Sequence, residues 1–273
     1  DEAKPAEADI LEVVAYDAQG AGPVSADDLA FAPEQLAVAM FTSGSTGVPK
    51  RHTKTWGSLV TESRLAGAAL GLLLETPGQV LATVPAQHMY GFTFSVIVPA
   101  QWGYIIGAER PFYPEDIRRA LAASPRPVML VTTPLHIRAC VLDDVEFPPL
   151  DFILSSTAPL DAALAAQAEV RFHTTVREIY GSTETGAIAT RRQADSSEWK
   201  TFAGVTVSAL EEGFRVEAPY LDAPQNMGDS VEIHAPGRFT LLGRNAEIIK
   251  IAGKRVALGD LNRQLLAIDG VRD

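Results

Sequence analysis

Between residues 36 and 180, short apolar runs alternate with helical stretches, and no other sequence feature constrains the fold as strongly. The runs predicted as buried strands are residues 36–41, 80–84, 104–106, 128–131 and 152–154. The stretches predicted as helices are residues 58–74, 115–123 and 161–170. This order indicates βαβ units, in which a largely parallel sheet carries helices on its faces. We therefore expect an α/β fold.

After residue 186 the pattern changes to closely spaced strands separated by Gly, Pro and Asn. The predicted strands are residues 205–210, 214–217, 231–234, 239–242 and 247–251. Short turns between such strands are typical of an antiparallel sheet or a distorted barrel. Residues 258–268 are predicted to form a helix, with Leu261, Leu265 and Ile268 on one face.

A loop rich in Gly, Ser and Thr directly follows the first apolar run. Residues 41–50 are FTSGSTGVPK. A strand that ends in such a loop presents backbone N–H groups, hydroxyls and the Lys50 cation to one point, which suits a polyphosphate such as that of ATP. The loop is not a P-loop, because Pro49 precedes Lys50 and Arg51 follows it. Taken alone, it could equally be an ordinary turn.

Two further strings follow this loop, YGSTE at residues 180–184 and GRNAEIIKIAGKR at residues 243–255. Together the three resemble the adenylate-forming superfamily, which includes acyl-CoA and aryl-CoA synthetases, luciferases and the adenylation domains of peptide synthetases. The resemblance implies that residues 1–244 are the nucleotide-binding core of the large domain, without its N-terminal part. Residues 245–273 would be the hinge and the start of a truncated small domain.

The resemblance also implies how the phosphates of ATP are held. Thr183 would contact the α-phosphate, and Glu184 would hold Mg²⁺, for which one carboxylate suffices because the cation keeps phosphate and water oxygens. Without the loop beside it, Lys50 would be interpreted as a solvated surface lysine. The residues expected on the β- and γ-phosphates are Thr42, Ser43, Gly44, Ser45, Thr46, Gly47 and Lys50.

For the adenosine, the resemblance implies that Tyr180 stacks on the base and that Asp229 accepts both ribose hydroxyls. Arg244 would reach the ribose or the phosphates. Asp229 could instead cap its own turn, and Arg244 alone would be interpreted as a surface charge. The remaining residues expected around the nucleotide are Gly181 and Ser182, with Thr157, Ala158 and Pro159 framing the adenine. The family usually has glycine where Thr157 stands.

His88 matches the position where acyl-CoA synthetases of this family carry a histidine between the nucleotide site and the acyl pocket. Lone histidines often serve packing instead. The apolar residues around it could line an acyl or aryl pocket or simply form core, so the sequence does not select an acid. These residues are Met89, Tyr90, Phe92 and Phe94.

The sequence departs from the family pattern in three places. Only 41 residues precede Thr42, and the chain stops 29 residues after Arg244, so the small-domain lysine has no counterpart. The hinge residue, usually Asp or Lys, aligns with Ala246. Losing one preorganised contact of this kind costs roughly 10²–10³ in rate, so the chain alone is expected to adenylate poorly. It could be part of a longer ligase or a naturally shortened protein.

Composition excludes several other classes. A net charge of −11 and a pI near 4.9 disfavour binding to nucleic acid or to anionic membranes. The apolar stretches are too short or too interrupted to predict a membrane span. Cys140 is the single cysteine, which excludes an internal disulfide and a Cys-rich zinc site and fits the reducing cytoplasm, where we expect the protein.

The predicted function is that of an ATP-dependent carboxylic acid:thiol ligase, which forms an acyl-AMP and transfers the acyl group to CoA or to a carrier-protein phosphopantetheine thiol. Residues 199–205 loosely resemble ligases encoded with fatty-acid or aryl-polyene enzymes. The alternative is a noncatalytic module that binds ATP or an acyl adenylate. A serine hydrolase is excluded, because no GxSxG surrounds Ser43, Ser45 or Ser182.

Overall fold

The computed structural model describes residues 31–42, 49–72, 78–244, 248–251 and 254–257. The chain divides into residues 1–32 and residues 33–273, and every element below belongs to the second unit. The residues of the loop from Ser43 to Gly47, Ala246 and the expected helix at residues 258–268 lie outside the described residues.

Sixteen strands are found in the described part of the chain. They are β1 Leu36–Thr42, β2 Lys50–Thr55, β3 Gln79–Ala82, β4 Ile105–Ile106, β5 Val128–Thr132, β6 Phe152–Ser155, β7 Thr175–Ser182, β8 Gly186–Arg191, β9 Trp199–Thr201, β10 Thr206–Ala209, β11 Phe214–Glu217, β12 Gln225–Met227, β13 Asp229–Ala235, β14 Arg238–Arg244, β15 Ile248–Ile251 and β16 Lys254–Ala257.

The helices in the same described ranges are α1 Trp56–Leu70, α2 Met89–Phe92, α3 Val98–Trp102, α4 Pro114–Ala123, α5 Pro134–Leu142 and α6 Ala162–Phe172. A π-helical turn, Thr93–Ile97, connects α2 to α3. Thr55 caps α1 through its side chain, and Asp161 caps α6 by accepting the backbone N–H groups of Ala163 and Leu164. None of the described helices is both long and apolar enough to cross a membrane.

The main sheet is mixed, as expected for an α/β core followed by antiparallel strands. Nine described strands pair in the order β13-β14-β9-β8-β7-β6-β5-β3-β4. Strands β4, β3, β5, β6 and β7 are parallel, whereas β8, β9, β14 and β13 continue the sheet in antiparallel pairs. A separate antiparallel sheet, β10-β11-β12, and the hairpin β15-β16 complete the described strands together with β1-β2. This arrangement confirms the predicted fold class.

Strand β5, the middle one of the five parallel strands, is buried on both faces, and its side chains alternate between two cores. Met129 and Val131 belong to a cluster with Phe94 of the π-helical turn, whereas Val128 and Leu130 belong to a cluster beneath α4, α5 and α6. Burial of each such side chain contributes about 1.5–3 kcal/mol. The helices therefore cover both faces, as a parallel sheet requires.

The prediction for residues 36–41 was wrong in one respect. These residues form a strand, but β1 pairs antiparallel with β2 rather than joining the parallel sheet. Of the seven described residues in β1, Met40 alone is buried. Its partner β2 has the sequence KRHTKT, which carries no apolar side chain and therefore gave no strand signal. The predicted phosphate loop thus connects the two strands of a hairpin.

Candidate functional site

The β1-β2 hairpin places Thr42 and Lys50 opposite each other, at the two ends of the Gly/Ser/Thr loop. Thr42 Oγ1 lies 3.0 Å from His52 Nε2. The same nitrogen lies 3.4 Å from Glu184 Oε1. Two of the three sequence strings therefore meet at this point, since Glu184 ends the YGSTE string.

The YGSTE string forms the end of β7 and the turn into β8. Ser182 and Thr185 hold this turn together, because the N–H of Ser182 donates to Thr185 Oγ1 at 3.0 Å and the N–H of Thr185 donates to Ser182 Oγ at 3.1 Å. Gly186 has φ of +69°, which favours glycine. The turn presents Thr183 and Glu184 beside the base of the loop.

Two buried side chains that sequence reasoning missed contact the same turn. Lys54, on β2, donates to the backbone oxygen of Glu184 at 3.3 Å, and Glu62, on α1, accepts the N–H of Ala187 at 2.9 Å. Period-two alternation places Lys50, His52 and Lys54 on one side of β2, a signal that becomes visible once β2 is treated as a strand. Nothing comparable in the sequence marks Glu62.

Glu184 is suited to bind a cation. Burial alone would raise the pKa of its carboxyl, but hydrogen bonds from its own backbone and Ser182, with the charges of His52 and Lys50, lower that pKa below its ordinary value. The carboxylate is therefore ionised at neutral pH and 34% exposed. Among the described residues, no group of three or more His, Cys, Asp or Glu could hold a metal ion. A single carboxylate such as that of Glu184 suits a hard cation that also takes phosphate and water oxygens, as Mg²⁺ does.

The third string meets the second through Tyr180. Its hydroxyl donates to Asp229 Oδ2 at 2.5 Å, and Asp229 pairs with Arg244 across β13 and β14. The Tyr180 ring is half-buried, with ring centroids 5.4 Å from Trp199 and 6.0 Å from Phe239. The structure therefore places Tyr180, Asp229 and the backbone of Arg244 together, and the adenine and ribose contacts expected of them stay predictions.

Thr157 lies in an exposed turn after β6, followed by the equally exposed Ala158 and Pro159. Its φ is +78°, in the left-handed region that β-branched residues rarely adopt. This conformation gives a physical reason for the glycine expected there in the family. Backbone strain of this kind is concentrated at functional sites, although it does not by itself identify a ligand.

A cavity of about 520 Å³ opens beside the β7-β8 turn. It lies where the parallel strands end, since Val84, Thr133 and Ser156 follow β3, β5 and β6. Ligands of open α/β sheets usually bind at this edge. Of the expected site residues, those that line the cavity are His88, Thr157, Gly181, Ser182 and Thr183.

Apolar side chains and a few polar groups form the cavity wall. Of the four apolar residues for which the sequence left pocket and core open, Met89, Tyr90 and Phe94 line the cavity, and Phe92 is absent from its described lining. The Tyr90 hydroxyl donates to the backbone oxygen of Leu154 at 2.8 Å, so it anchors the wall to the sheet. Glu62 contributes a carboxyl group that sequence reasoning did not anticipate.

Comparisons with known proteins agree with this geometry. The family model described as AMP-binding enzyme matches residues 2–217. The 4-coumarate–CoA ligase of Rhodobacter capsulatus is 31% identical over 245 residues, which are 89% of this chain and 61% of the relative. The 3,4-dihydroxybenzoate–[aryl-carrier protein] ligase of Bacillus anthracis is 23% identical over 88% of this chain and 58% of the relative. The chain thus spans about three fifths of the length of these curated relatives.

A solved structure shows the same fold. ATP-bound MatB from Rhodopseudomonas palustris superposes with a TM-score of 0.74 at 19% identity, over 89% of this chain and 55% of that one. The mixed sheet defines an α/β protein with a cavity at the carboxyl ends of its parallel strands. The chain belongs to the AMP-binding enzyme family. This confirms the predicted resemblance to adenylate-forming enzymes.

Proposed function

We propose that the protein is an ATP-dependent carboxylic acid:thiol ligase that forms an acyl-AMP. One observation carries the proposal: in a member of the AMP-binding enzyme family, the YGSTE string lines a cavity and also contacts the β1-β2 hairpin and Asp229. His52 contacts both Thr42 and Glu184, and the hydroxyl of Tyr180, in the same YGSTE string as Glu184, donates to Asp229. A single nucleotide could contact all three groups.

In this proposal the triphosphate lies between the β1-β2 hairpin and the β7-β8 turn. Lys50 and Thr183 donate to phosphate oxygens, and the loop from Thr42 to Gly47 encloses the β- and γ-phosphates. Mg²⁺, held by Glu184, would supply positive charge that stabilises the leaving pyrophosphate. The ionised state of Glu184 and its partial exposure support this role.

The adenosine lies toward the third group. Tyr180 contacts the adenine base, next to Gly181 and Ser182 on β7. The turn at residues 157–159, which follows β6, frames the same base. Asp229 accepts the ribose hydroxyls, because a carboxylate offers only acceptors to a vicinal diol. Arg244, paired with Asp229 in the sheet, completes the group.

The acid occupies the cavity of about 520 Å³. The largely apolar lining suits an acyl or aryl chain, and His88 lies at its exposed part next to Met89. The relatives include a 4-coumarate–CoA ligase and a 3,4-dihydroxybenzoate–[aryl-carrier protein] ligase. They support an aryl acid as the first substrate to test and leave CoA and a carrier-protein thiol as acceptors. We further propose that the protein works in the cytoplasm and supplies activated acids to fatty-acid or polyene biosynthesis.

Pyrophosphate exchange tests this function. The complete gene product is assayed with a panel of aryl and fatty acids, and exchange that depends on one acid is expected. Removing the charge in Glu184→Gln should lower exchange roughly 10²–10³-fold, as for other preorganised contacts to the reacting phosphates. Glu146→Gln, at an exposed glutamate that precedes the start of β6, is the matched control. Tight ATP binding without exchange for any acid would instead support a noncatalytic module.

A further inference from the structure

The buried cation Lys54 and the buried carboxyl of Glu62 hold the same segment of chain from two sides. Lys54 is 6% exposed and Glu62 is 1% exposed. Neither residue belongs to the three sequence strings. We propose that Lys54 and Glu62 are positioning residues that hold residues 183–186 in the geometry that binds Mg²⁺ and ATP together. This inference rests on the proposed function.

Lys54 acts on the backbone of the proposed metal ligand. Its Nζ donates to the backbone oxygen of Glu184 at 3.3 Å, and the two residues are 130 positions apart in sequence. The rotation of the peptide after Glu184 is thereby fixed against β2, the strand that also carries Lys50 and His52. Strand β2 therefore supports both Lys50, at the end of the phosphate loop, and the backbone of Glu184.

Glu62 acts on the other end of the turn. Its Oε1 accepts the N–H of Ala187 at 2.9 Å and lies 3.5 Å from Thr93 Oγ1. A Cβ atom added to Gly186 would collide with Glu62 Oε2, so the carboxyl group packs directly against the turn. Oε2 has no hydrogen-bond partner among the described residues. A carboxyl so placed fixes the start of β8.

The two groups depend on each other electrostatically. Burial lowers the pKa of Lys54, and the charges of Glu62, Asp222 and Glu184 oppose that change. Burial likewise raises the pKa of Glu62, and the charge of Lys54 opposes it. Because each charge offsets the desolvation of the other, removing one alone leaves a buried group unbalanced. A test must therefore distinguish a general loss of folding stability from a change in the position of residues 183–186.

Three variants make this separation. Lys54→Met removes both the donor and the charge, and Lys54→Gln keeps a donor without the charge. The double variant Lys54→Met with Glu62→Gln removes both buried charges, while the amide oxygen introduced on α1 can still accept the Ala187 N–H. The measurements are the urea unfolding midpoint and the Kd of ATP, by calorimetry, with and without Mg²⁺.

We expect the double variant to recover most of the stability lost in Lys54→Met. It should not recover the strengthening of ATP binding by Mg²⁺. The factor by which Mg²⁺ strengthens ATP binding should fall about tenfold in Lys54→Met and in the double variant, the usual effect of losing a charged hydrogen bond. Lys54→Gln should retain part of that factor.

A double variant whose stability and Mg²⁺ response both return to the values of the unmodified protein would overturn the proposal and leave Lys54 a purely structural residue. So would a Lys54→Met variant that folds and keeps the full response. An unmodified protein that shows no Mg²⁺-dependent ATP binding at all contradicts the proposed function itself, so the two failures are distinguishable.

Discussion

At the scale of single residues, the sequence singled out the motif residues but not the buried residues that contact them. Thr42, Lys50, Tyr180 and Glu184 stand in strings that resemble motifs of adenylate-forming enzymes, although the Gly/Ser/Thr loop taken alone could equally be an ordinary turn. Lys54 could not be predicted, because its role depends on contact with a residue 130 positions away. Such contacts arise only when the sheet brings distant segments together.

Thr157 allows a direct test of local strain. Because the φ of Thr157 is +78°, replacing this residue with glycine should raise the free energy of unfolding by about 1 kcal/mol. The relief of backbone strain should exceed the cost of the extra conformational entropy that glycine gives to the unfolded chain. Urea denaturation measures the change. In the control Thr206→Gly, at an exposed strand residue without positive φ, the same measurement should show a loss. A loss of stability in Thr157→Gly as well would contradict the strain argument.

At the scale of elements, apolar strands were predicted well and polar strands were not. β5 and β6 gave continuous apolar runs, and both were found within a residue or two of their expected bounds. β7 was missed because its middle carries Arg177 and Glu178. Glu178 is buried there with partners from distant parts of the chain: Arg191 of β8 pairs with it at 2.6 Å from Nε to Oε2, and the N–H of Leu160 donates to Oε1 at 3.3 Å. A pattern of apolar residues cannot reveal a strand stabilised in this way.

The turn between β7 and β8 depends on the absence of a side chain at Gly186. Gly186→Ala should lower the free energy of unfolding by about 3 kcal/mol, because both positive φ and the Glu62 carboxyl oppose a Cβ atom. Gly71→Ala is a matched control, since Gly71 has φ of +74° and open space around it; its cost should be about 1 kcal/mol. If urea denaturation showed the same loss of stability in Gly186→Ala and Gly71→Ala, the Glu62 carboxyl would not be in steric contact with this turn.

At the scale of the whole molecule, the sequence indicated the change from parallel to antiparallel strands but not how the two parts join. They form one continuous sheet through the pairing of β7 with β8. Glu169 reinforces this junction from α6, since it accepts the N–H of Val176 at 2.9 Å and an Arg192 Nη2–H at 2.6 Å. The side chain thus links a covering helix to both sides of the junction.

This link makes stability depend on pH. Burial opposes ionisation of Glu169, but the hydrogen bonds from Arg192 and Val176 outweigh it and lower the pKa of the carboxyl. A lowered pKa gives stability that is present above the ordinary value near 4.5 and is lost as pH falls through the folded-state value. Arg192 is 37% exposed, so after solvent screening the contribution should be about 1 kcal/mol.

Glu169→Gln should therefore be less stable than the unmodified protein at pH 7 and nearly equal to it in acid. Unfolding by urea across this pH range measures the difference. Glu146→Gln, at an exposed glutamate, should follow the unmodified protein throughout. A difference between the Glu169 variant and the unmodified protein that stays constant with pH would exclude this ionisation as its cause.

A crystal structure of the protein with ATP and Mg²⁺ tests the central claim most directly. We expect phosphate oxygens within hydrogen-bond distance of Lys50 and Thr183, the metal ion on Glu184, and the ribose hydroxyls on Asp229, all from one nucleotide. A nucleotide bound away from the β7-β8 turn, or one that leaves any of the three groups without contact, would contradict it.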